Sequence, residues 1–149
     1  MEYSLKALLR MRQSQLDEVF RGSSAGKIPD GRFRGTFLVA PGTVLTSVTS
    51  ELIRTMVWQG KVLDAQHGRV KNLVLPFGFE SVSARVYKAG SWFDGKECIV
   101  FDCSTNLLRA VGVRDEIREI TSAVYLGKVY IAGMRMPDFL LEREEPPGN

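Results

Sequence analysis

The sequence has few of the residues that build metal sites or disulfides. It contains two cysteines, Cys98 and Cys103, and one histidine, His67, so no zinc site of recognised ligand spacing is present. The cysteines lie in one predicted strand, on opposite faces and roughly 16 Å apart, which is too far for a disulfide. Two reduced thiols are typical of a reducing compartment, and a cytoplasmic location is expected.

Long apolar runs and catalytic motifs are also missing. Charged residues interrupt the N-terminal segment from Met1 to Arg21, so neither a signal peptide nor a transmembrane span is predicted. No nucleophile elbow, phosphate loop, dinucleotide fingerprint or metal-binding helix occurs. The sequence therefore names no reaction, and no cofactor is expected.

The charge balance argues against nucleic acid as a partner. The 20 basic and 17 acidic residues leave a net charge of only +3, and the basic residues are scattered along the chain. No RNA-binding motif, helix-turn-helix or zinc-finger pattern accompanies them. At 149 residues and 44% apolar composition, the chain matches one globular domain.

The segment from Val82 to Leu141 carries short alternating stretches separated by turn residues. Asp94-Gly95 between two of these stretches is a strong hairpin signal, because a type I′ turn needs positive φ at both central positions. The pattern predicts an antiparallel meander. Such a meander must close on itself or cover its exposed edges.

Helical periodicity occurs in three places. Ser4 to Phe20 predicts an amphipathic N-terminal helix, and Thr43 to Trp58 predicts a second helix that would act as a lid after the first strand. Val113 to Ile120 predicts a short helix before the last two strands. Its charged run, Arg114 to Glu119, is most simply a solvated helical face, although Arg114 or Asp115 would also be able to extend across the barrel mouth.

These elements predict a mainly β, α+β chain. The expected architecture is a single-domain antiparallel, lipocalin-like β-barrel of about seven or eight strands. Residues 1–26 would form the N-terminal helix and a linker, residues 27–143 the barrel, and residues 144–149 a disordered tail.

Several short motifs resemble a family of small bacterial proteins named for a Gly-x-Trp-x-Gly signature. Gly31-Arg32-Phe33-Arg34-Gly35 is similar to that signature, with Phe33 in place of the tryptophan, and the segment from Trp58 to Leu63 resembles a downstream Trp-x-Gly-Lys motif. Phe101-Asp102, Val113-Arg114-Asp115 and Leu126-Gly127 are similar to positions of the associated C-terminal domain. The resemblance implies a compact, calycin-like or lipocalin-like barrel, and it implies no particular activity.

A barrel of this kind would bind a small hydrophobic or amphipathic, carboxylate-bearing ligand. The candidate ligand-binding residues are Phe37, Trp58, Lys61, Arg85, Tyr87, Phe101, Tyr125 and Tyr130. The N-terminal helix would also allow a homodimer to form.

Some of these residues admit two interpretations. Arg85 and Tyr87 would form an inward carboxylate clamp if Val86 faces outward, but the same face of the strand is otherwise solvated. Trp58 would either plug the barrel end or line a pocket. Lys61 would neutralise an acidic ligand or, more simply, be a solvated lysine at the rim.

Two other functions remain open at this stage. A cofactor-free isomerase or cyclase would use Asp102 as a base with Tyr125 or another tyrosine, although Asp102 at a strand end also suits a turn cap. His67 is a third candidate for proton transfer, but its position predicts an exposed hairpin tip. The other alternative is a partner-binding structural domain whose barrel is filled by its own aromatic side chains.

Overall fold

The computed structural model describes residues 3–38, 60–74, 79–102 and 112–144. Two short helices come first, α1 (Leu5–Arg10) and α2 (Gln13–Gly22). The strands that follow are β1 (Gly31–Leu38), β2 (Gly60–Asp64), β3 (Arg69–Val74), β4 (Phe79–Gly90), β5 (Glu97–Asp102), β6 (Val113–Thr121), β7 (Val124–Ile131), β8 (Met134–Arg135) and β9 (Asp138–Arg143).

Eight of these strands close into an antiparallel barrel. Their order around the barrel is β6-β5-β4-β3-β2-β1-β9-β7, and an additional pairing between β6 and β7 completes the ring. β8 is a two-residue strand that folds back on β7. The predicted mainly β barrel is confirmed. Closure pairs the strand edges that an open meander would have exposed.

Side chains alternate between the barrel interior and its outer surface. The interior cluster consists of Phe33, Leu63, Val70, Ala84, Val86, Ile99, Phe101, Ile117, Tyr125, Phe139 and Leu141, together with Ala25. We call the end with the β2–β3 and β6–β7 turns the turn end. The opposite end, where β1, β3 and β5 finish, is called the loop end; its connecting residues 39–59, 75–78 and 103–111 lie outside the described residues.

The segment that precedes β1 packs across the turn end. Ala25 is buried in the interior cluster, and Ile28 packs against it. The carbonyl oxygen of Ser24 accepts a hydrogen bond from the backbone N–H of Glu119 at 3.1 Å. The segment between the helices and the barrel is therefore part of the packing that closes this end.

The helices cover part of the outer surface of the barrel. Leu8, Leu16 and Phe20 are buried against Leu126 of β7 and Leu140 of β9. The predicted helix is divided in two, because the backbone between α1 and α2 is extended. The buried apolar residues of both helices thus pack on the chain's own barrel.

Charged groups beneath α2 strengthen this docking. Lys128 of β7 is completely buried, and its Nζ lies 2.8 Å from carboxylate oxygens of both Asp17 and Asp138. Arg135 donates to the same Asp17 carboxylate at 2.6 Å. Buried charges are tolerated when they are paired in this way.

The predicted short helix from Val113 to Ile120 is wrong, because these residues form strand β6. β6 pairs with both β5 and β7, so its backbone is enclosed in the sheet. Its charged run is not solvated either: Asp115 is 7% exposed, and Glu116 and Arg118 are fully buried. The charges lie on both faces of the strand and find partners on both.

The Asp94-Gly95 hairpin exists, but its turn is not the expected two-residue type. Gly95 has φ 79°, whereas Asp94 is not among the residues with positive φ. The connection runs from Ser91 to Lys96 and is closed by a 2.9 Å hydrogen bond from the Ser91 N–H to the Lys96 carbonyl. The longer turn leaves the Asp94 carboxylate available for side-chain hydrogen bonds.

Some predictions fall on residues that the structure does not describe. The lid helix from Thr43 to Trp58, Cys103 and residues 145–149 all lie outside the described ranges. Glu144, the first residue of the predicted tail, donates its backbone N–H to the Arg32 carbonyl at 2.9 Å. Neither α1 nor α2, the helices of the described ranges, is long and apolar enough to cross a membrane.

Candidate functional site

A buried ion pair crosses the interior of the barrel. Lys61 of β2 and Asp115 of β6 lie 3.0 Å apart, from Nζ to Oδ2. They are 2% and 7% exposed. Three strands separate β2 from β6 along the sheet, so the two side chains meet across the interior rather than along one wall.

Aromatic rings surround the amine of this pair. The Lys61 Nζ lies 5.0 Å from the centre of the Phe101 ring and 5.9 Å from that of Phe139. A cation over an aromatic face is attracted by the ring's quadrupole, most strongly where water is excluded. The lysine is therefore held by a carboxylate and by ring faces.

Gly127 creates the space for one of these rings. It lies opposite Phe139 in the β7–β9 pairing. A Cβ atom added at Gly127 would overlap the Phe139 ring. The absence of a side chain on β7 thus allows Phe139 to lie flat against the strand and approach Lys61.

The ion pair lies toward the loop end of the barrel. Three apolar side chains at this end pack on the interior cluster but are only partly buried: Phe37 of β1, Val129 of β7 and Val113 at the start of β6. Asp115 is also the more accessible member of the pair, with 11% of its side chain exposed against 3% for Lys61. Among the described residues, the accessible interior surface at this end therefore combines apolar side chains with the Asp115 carboxylate.

The turn-end half of the interior is filled by the protein's own side chains. Phe33 is fully buried and meets Tyr125 edge to face, with ring centres 5.8 Å apart. Val70 and Ile117 are likewise fully buried. Desolvation raises the pKa of Tyr125, and the nearby Glu119 carboxylate adds to the effect. This tyrosine stays neutral and acts as a core residue.

The structure brings together three of the predicted ligand-binding residues. Phe37, Lys61 and Phe101 belong to the interior at or near the ion pair, and Tyr125 is interior but lies near the turn end. Trp58 lies outside the described residues. The interpretation of Lys61 as a solvated rim lysine is wrong, because the whole side chain is buried.

Arg85 and Tyr87 do not form the inward clamp. Val86 and Ala84 belong to the interior cluster, so the alternate residues of β4 face outward, and Arg85 is exposed. The Tyr87 hydroxyl donates to Asp102 at 2.9 Å on this outer surface. Burial raises the pKa of Tyr87, and the hydrogen bond to Asp102 raises it further.

Tyr130 and Asp102, two other predicted site residues, also lie on the outer surface. Tyr130 packs edge to face on Trp92, with ring centres 5.3 Å apart. Burial, with a contribution from Glu116, raises the pKa of Tyr130 to about 12. Asp102 accepts the hydrogen bond from the Tyr87 hydroxyl on this surface, so it does not face a substrate space inside the barrel.

His67 occupies the turn between β2 and β3, as its sequence position predicts. Its side chain is 67% exposed, and its Nδ1 lies 2.6 Å from Oδ2 of Asp64. Hydrogen bonds from the side chain and backbone of His67 lower the pKa of Asp64. This pair is local to the turn and exposed, unlike the Lys61–Asp115 pair.

Helical periodicity predicted Asp115 on a short helix, whereas it lies on strand β6. Val113, Asp115 and Ile117 alternate with Arg114 and Glu116, but charges on both faces hide the period of two. The β-branched residues in this stretch favour a strand and were the available signal. The partner of Asp115 lies 54 positions away, so no local pattern contains the pair.

Comparison with known proteins supports the fold. No protein-family model matches the chain, and no curated protein matches it. The crystal structure of a protein from Thermomonospora curvata matches with a TM-score of 0.64 at 18% identity, over 91% of this chain and 90% of that one. This likeness shows a shared barrel fold. In the described ranges, no group of three or more His, Cys, Asp or Glu side chains is arranged to hold a metal.

Proposed function

We propose that the barrel binds a small hydrophobic or amphipathic molecule at its loop end. The observation that carries this proposal is the Lys61–Asp115 pair, which is buried among phenylalanine rings. A buried ion pair adds little to the stability of a folded core. Removing two charges from water costs more than their attraction commonly returns. A polar pair inside an apolar enclosure is the usual composition of a small-molecule site.

The apolar part of the ligand would contact Phe37, Val113 and Val129, which retain accessible surface. Its polar end would meet Lys61 and Asp115. Arg85, the partner suggested for a ligand carboxylate, does not contribute to this site, because it lies outside the barrel.

Native mass spectrometry of freshly purified protein tests the proposal. We expect a population heavier than the polypeptide by the mass of a small organic molecule. A Lys61→Met/Asp115→Leu variant, which keeps shape and removes both charges, should lose that population. Arg85→Ala, on the outer surface, is the matched control and should keep it. Equal retention in both variants would count against the site.

A second function, proton transfer in a cofactor-free isomerase or cyclase, has one observation in its favour. Asp115 is a partly accessible carboxylate fixed beside a buried amine, which is a suitable arrangement for a general base. Asp102 is less suitable, because it bonds to Tyr87 on the outer surface. Turnover of a retained ligand, lost in Asp115→Asn while binding persists, would favour the enzyme.

Three further expectations belong to the proposal. The fully buried, free Cys98 is consistent with a cytoplasmic location. Membership of the Gly-x-Trp-x-Gly family is supported by Phe33, whose ring fills the barrel interior at the motif's aromatic position. A homodimer through the N-terminal helices would need their polar faces, because Leu8, Leu16 and Phe20 pack on the barrel.

A further inference from the structure

The two charges of the buried pair are not equally available to a ligand. Lys61 is enclosed by Asp115, Phe101 and Phe139, and only 3% of its side chain is exposed. Asp115 exposes 11% of its side chain beside the partly buried Val113 and Val129. A molecule entering from the loop end therefore meets a carboxylate oxygen, which accepts hydrogen bonds and donates none.

From this we infer that the polar end of the ligand is an uncharged group with an N–H or O–H donor, of which a primary carboxamide is the simplest example. The inference rests on the proposed binding function and specifies the ligand for the same site. Lys61 acts as a positioning residue: its Nζ donates to one carboxylate oxygen of Asp115 at 3.0 Å and leaves the other oxygen for the ligand.

Charge balance excludes the two common charged alternatives. The positive charge of Lys61 is already matched by the negative charge of Asp115. A ligand carboxylate would add a second negative charge beside Asp115, where the low local dielectric strengthens repulsion. A ligand ammonium would place two cations on one carboxylate, and its own desolvation would oppose binding.

A neutral donor avoids both penalties. It gives Asp115 a hydrogen bond to a charged acceptor, which is stronger than one between neutral groups. It also brings no net charge into the ring-lined interior. The alkyl or aryl remainder of the molecule would lie against Phe37, Val113 and Val129.

Four matched probes test the inference on the full-length, ¹⁵N-labelled protein at neutral pH. Octanamide carries a neutral donor, N,N-dimethyloctanamide lacks the donor, octanoate is an anion and octylamine is a cation. Titration followed by amide chemical shifts should show octanamide binding at least about tenfold more tightly than each of the others, since a hydrogen bond to a charged group contributes that much. The largest shifts are expected at Val113, Asp115 and Val129.

Asp115→Asn should weaken the preference for octanamide. The variant replaces the charged acceptor with a neutral one, so octanamide should lose most of its advantage over its dimethyl analogue. Asp102→Asn makes the same change on the outer surface and should leave the wild-type order unaltered. If Asp115→Asn fails to fold, the wild-type ranking of octanamide against its dimethyl analogue still decides the question.

The outcomes separate this inference from the proposed function. Octanoate binding as well as or better than octanamide in the wild type would overturn the neutral-donor inference and leave ligand binding standing. If no probe binds, and native mass spectrometry shows no retained molecule, both are wrong.

Discussion

Arg118 and Asp94 form a two-point ion pair on the outside of the barrel, with Nη1–Oδ2 and Nη2–Oδ1 distances of 2.7 Å. The remaining guanidinium hydrogens are donated to the carbonyl oxygens of Phe20, Lys96 and Glu97. Every N–H of Arg118 thus has an acceptor, and the residue joins α2, the β4–β5 turn and β6.

We expect Arg118→Lys to destabilise the protein by about 2 kcal/mol, because an ammonium cannot reproduce the planar five-donor fork. Arg118→Ala should cost about 3–5 kcal/mol, since it leaves Asp94 near-buried without its cation. Urea unfolding measures both. Arg34→Lys on the exposed side of β1 is the control and should change stability by less than about 0.5 kcal/mol. An unchanged free energy of unfolding in Arg118→Lys would show that the five-donor guanidinium is dispensable.

The Lys61–Asp115 pair should show strong coupling in a double-mutant cycle. Lys61→Met alone leaves Asp115 uncompensated in the interior and should lower the free energy of unfolding by about 3–5 kcal/mol. Adding Asp115→Leu should recover most of that loss, because an apolar pair fills the same space without desolvated charge. Denaturant titration of the four proteins gives the coupling energy. Additive losses would mean that the two groups do not interact.

Acid should weaken the attachment of α2. Burial by itself raises the pKa of Asp17, but hydrogen bonds from Arg135, Lys128 and Gln13 outweigh burial and hold the pKa well below its ordinary value of 3.8. The folded carboxylate therefore binds protons less readily than the unfolded one. Its contribution is complete above about pH 5 and is lost as the pH falls through 3.8 toward the folded pKa.

Asp17→Asn tests this dependence. The variant should be about 1–2 kcal/mol less stable than wild type at pH 7, because charge-assisted hydrogen bonds are lost. The difference in stability between Asp17→Asn and wild type, measured by thermal unfolding, should narrow as the pH is lowered from 5 toward 2.5. Glu18→Gln on the exposed side of α2 is the control and should follow the wild-type curve. A gap that stays constant with pH would contradict the role of Asp17.

Cys98 should be inert to thiol reagents in the folded protein. Burial raises its pKa to about 12, with a smaller contribution from Glu116, so almost no thiolate exists at pH 8. In a Cys103→Ser background, a colorimetric disulfide reagent should label Cys98 at least about a thousandfold more slowly than an unfolded cysteine. Labelling in 8 M urea supplies the reference rate. Fast labelling under native conditions would show that this strand opens readily.

The β7–β8 turn offers a stabilising substitution. Ala132 has φ 53° and Gly133 has φ 79°, which is the backbone of a type I′ turn, and alanine is poorly suited to the first position. Ala132→Asn should raise the free energy of unfolding by about 0.5–1 kcal/mol, because asparagine adopts this conformation at lower cost. Ala132→Val should lower it. Thermal unfolding distinguishes the signs, and the same sign for both would exclude backbone strain as the cause.

The alternation of apolar and polar residues was enough to predict most of the barrel. The hairpin around His67, the strand after Lys96 and the strand from Gly31 all follow from period-two patterns and turn residues, which act locally. The stretch from Val113 to Ile120 misled because charged side chains on both faces resembled a solvated helix. The charges are explained only by the tertiary structure, in which Asp94 of the β4–β5 turn pairs with Arg118 and Lys61 of β2 pairs with Asp115.

The candidate site shows the same division. Phe37, Lys61 and Phe101 were named as candidate ligand-binding residues, and all three lie in the interior, although the simpler interpretation of Lys61 was a solvated residue at the rim. One of two interpretations placed Arg85 and Tyr87 on the interior face of β4. In the structure they lie on the outer face, because Ala84 and Val86 occupy the interior. A strand pattern establishes that two faces exist, whereas the rest of the barrel determines which one is inside.

The sequence by itself determined the class of fold, because turn chemistry and hydrophobic period are properties of neighbouring residues. Only the tertiary structure decided that Lys61 is buried, that Asp115 is its partner and that Asp102 faces outward. Those facts depend on contacts between strands far apart in the chain. Closure of the barrel brings β2 and β6 together across its interior, and the low dielectric there turns two ordinary charged residues into a coupled pair.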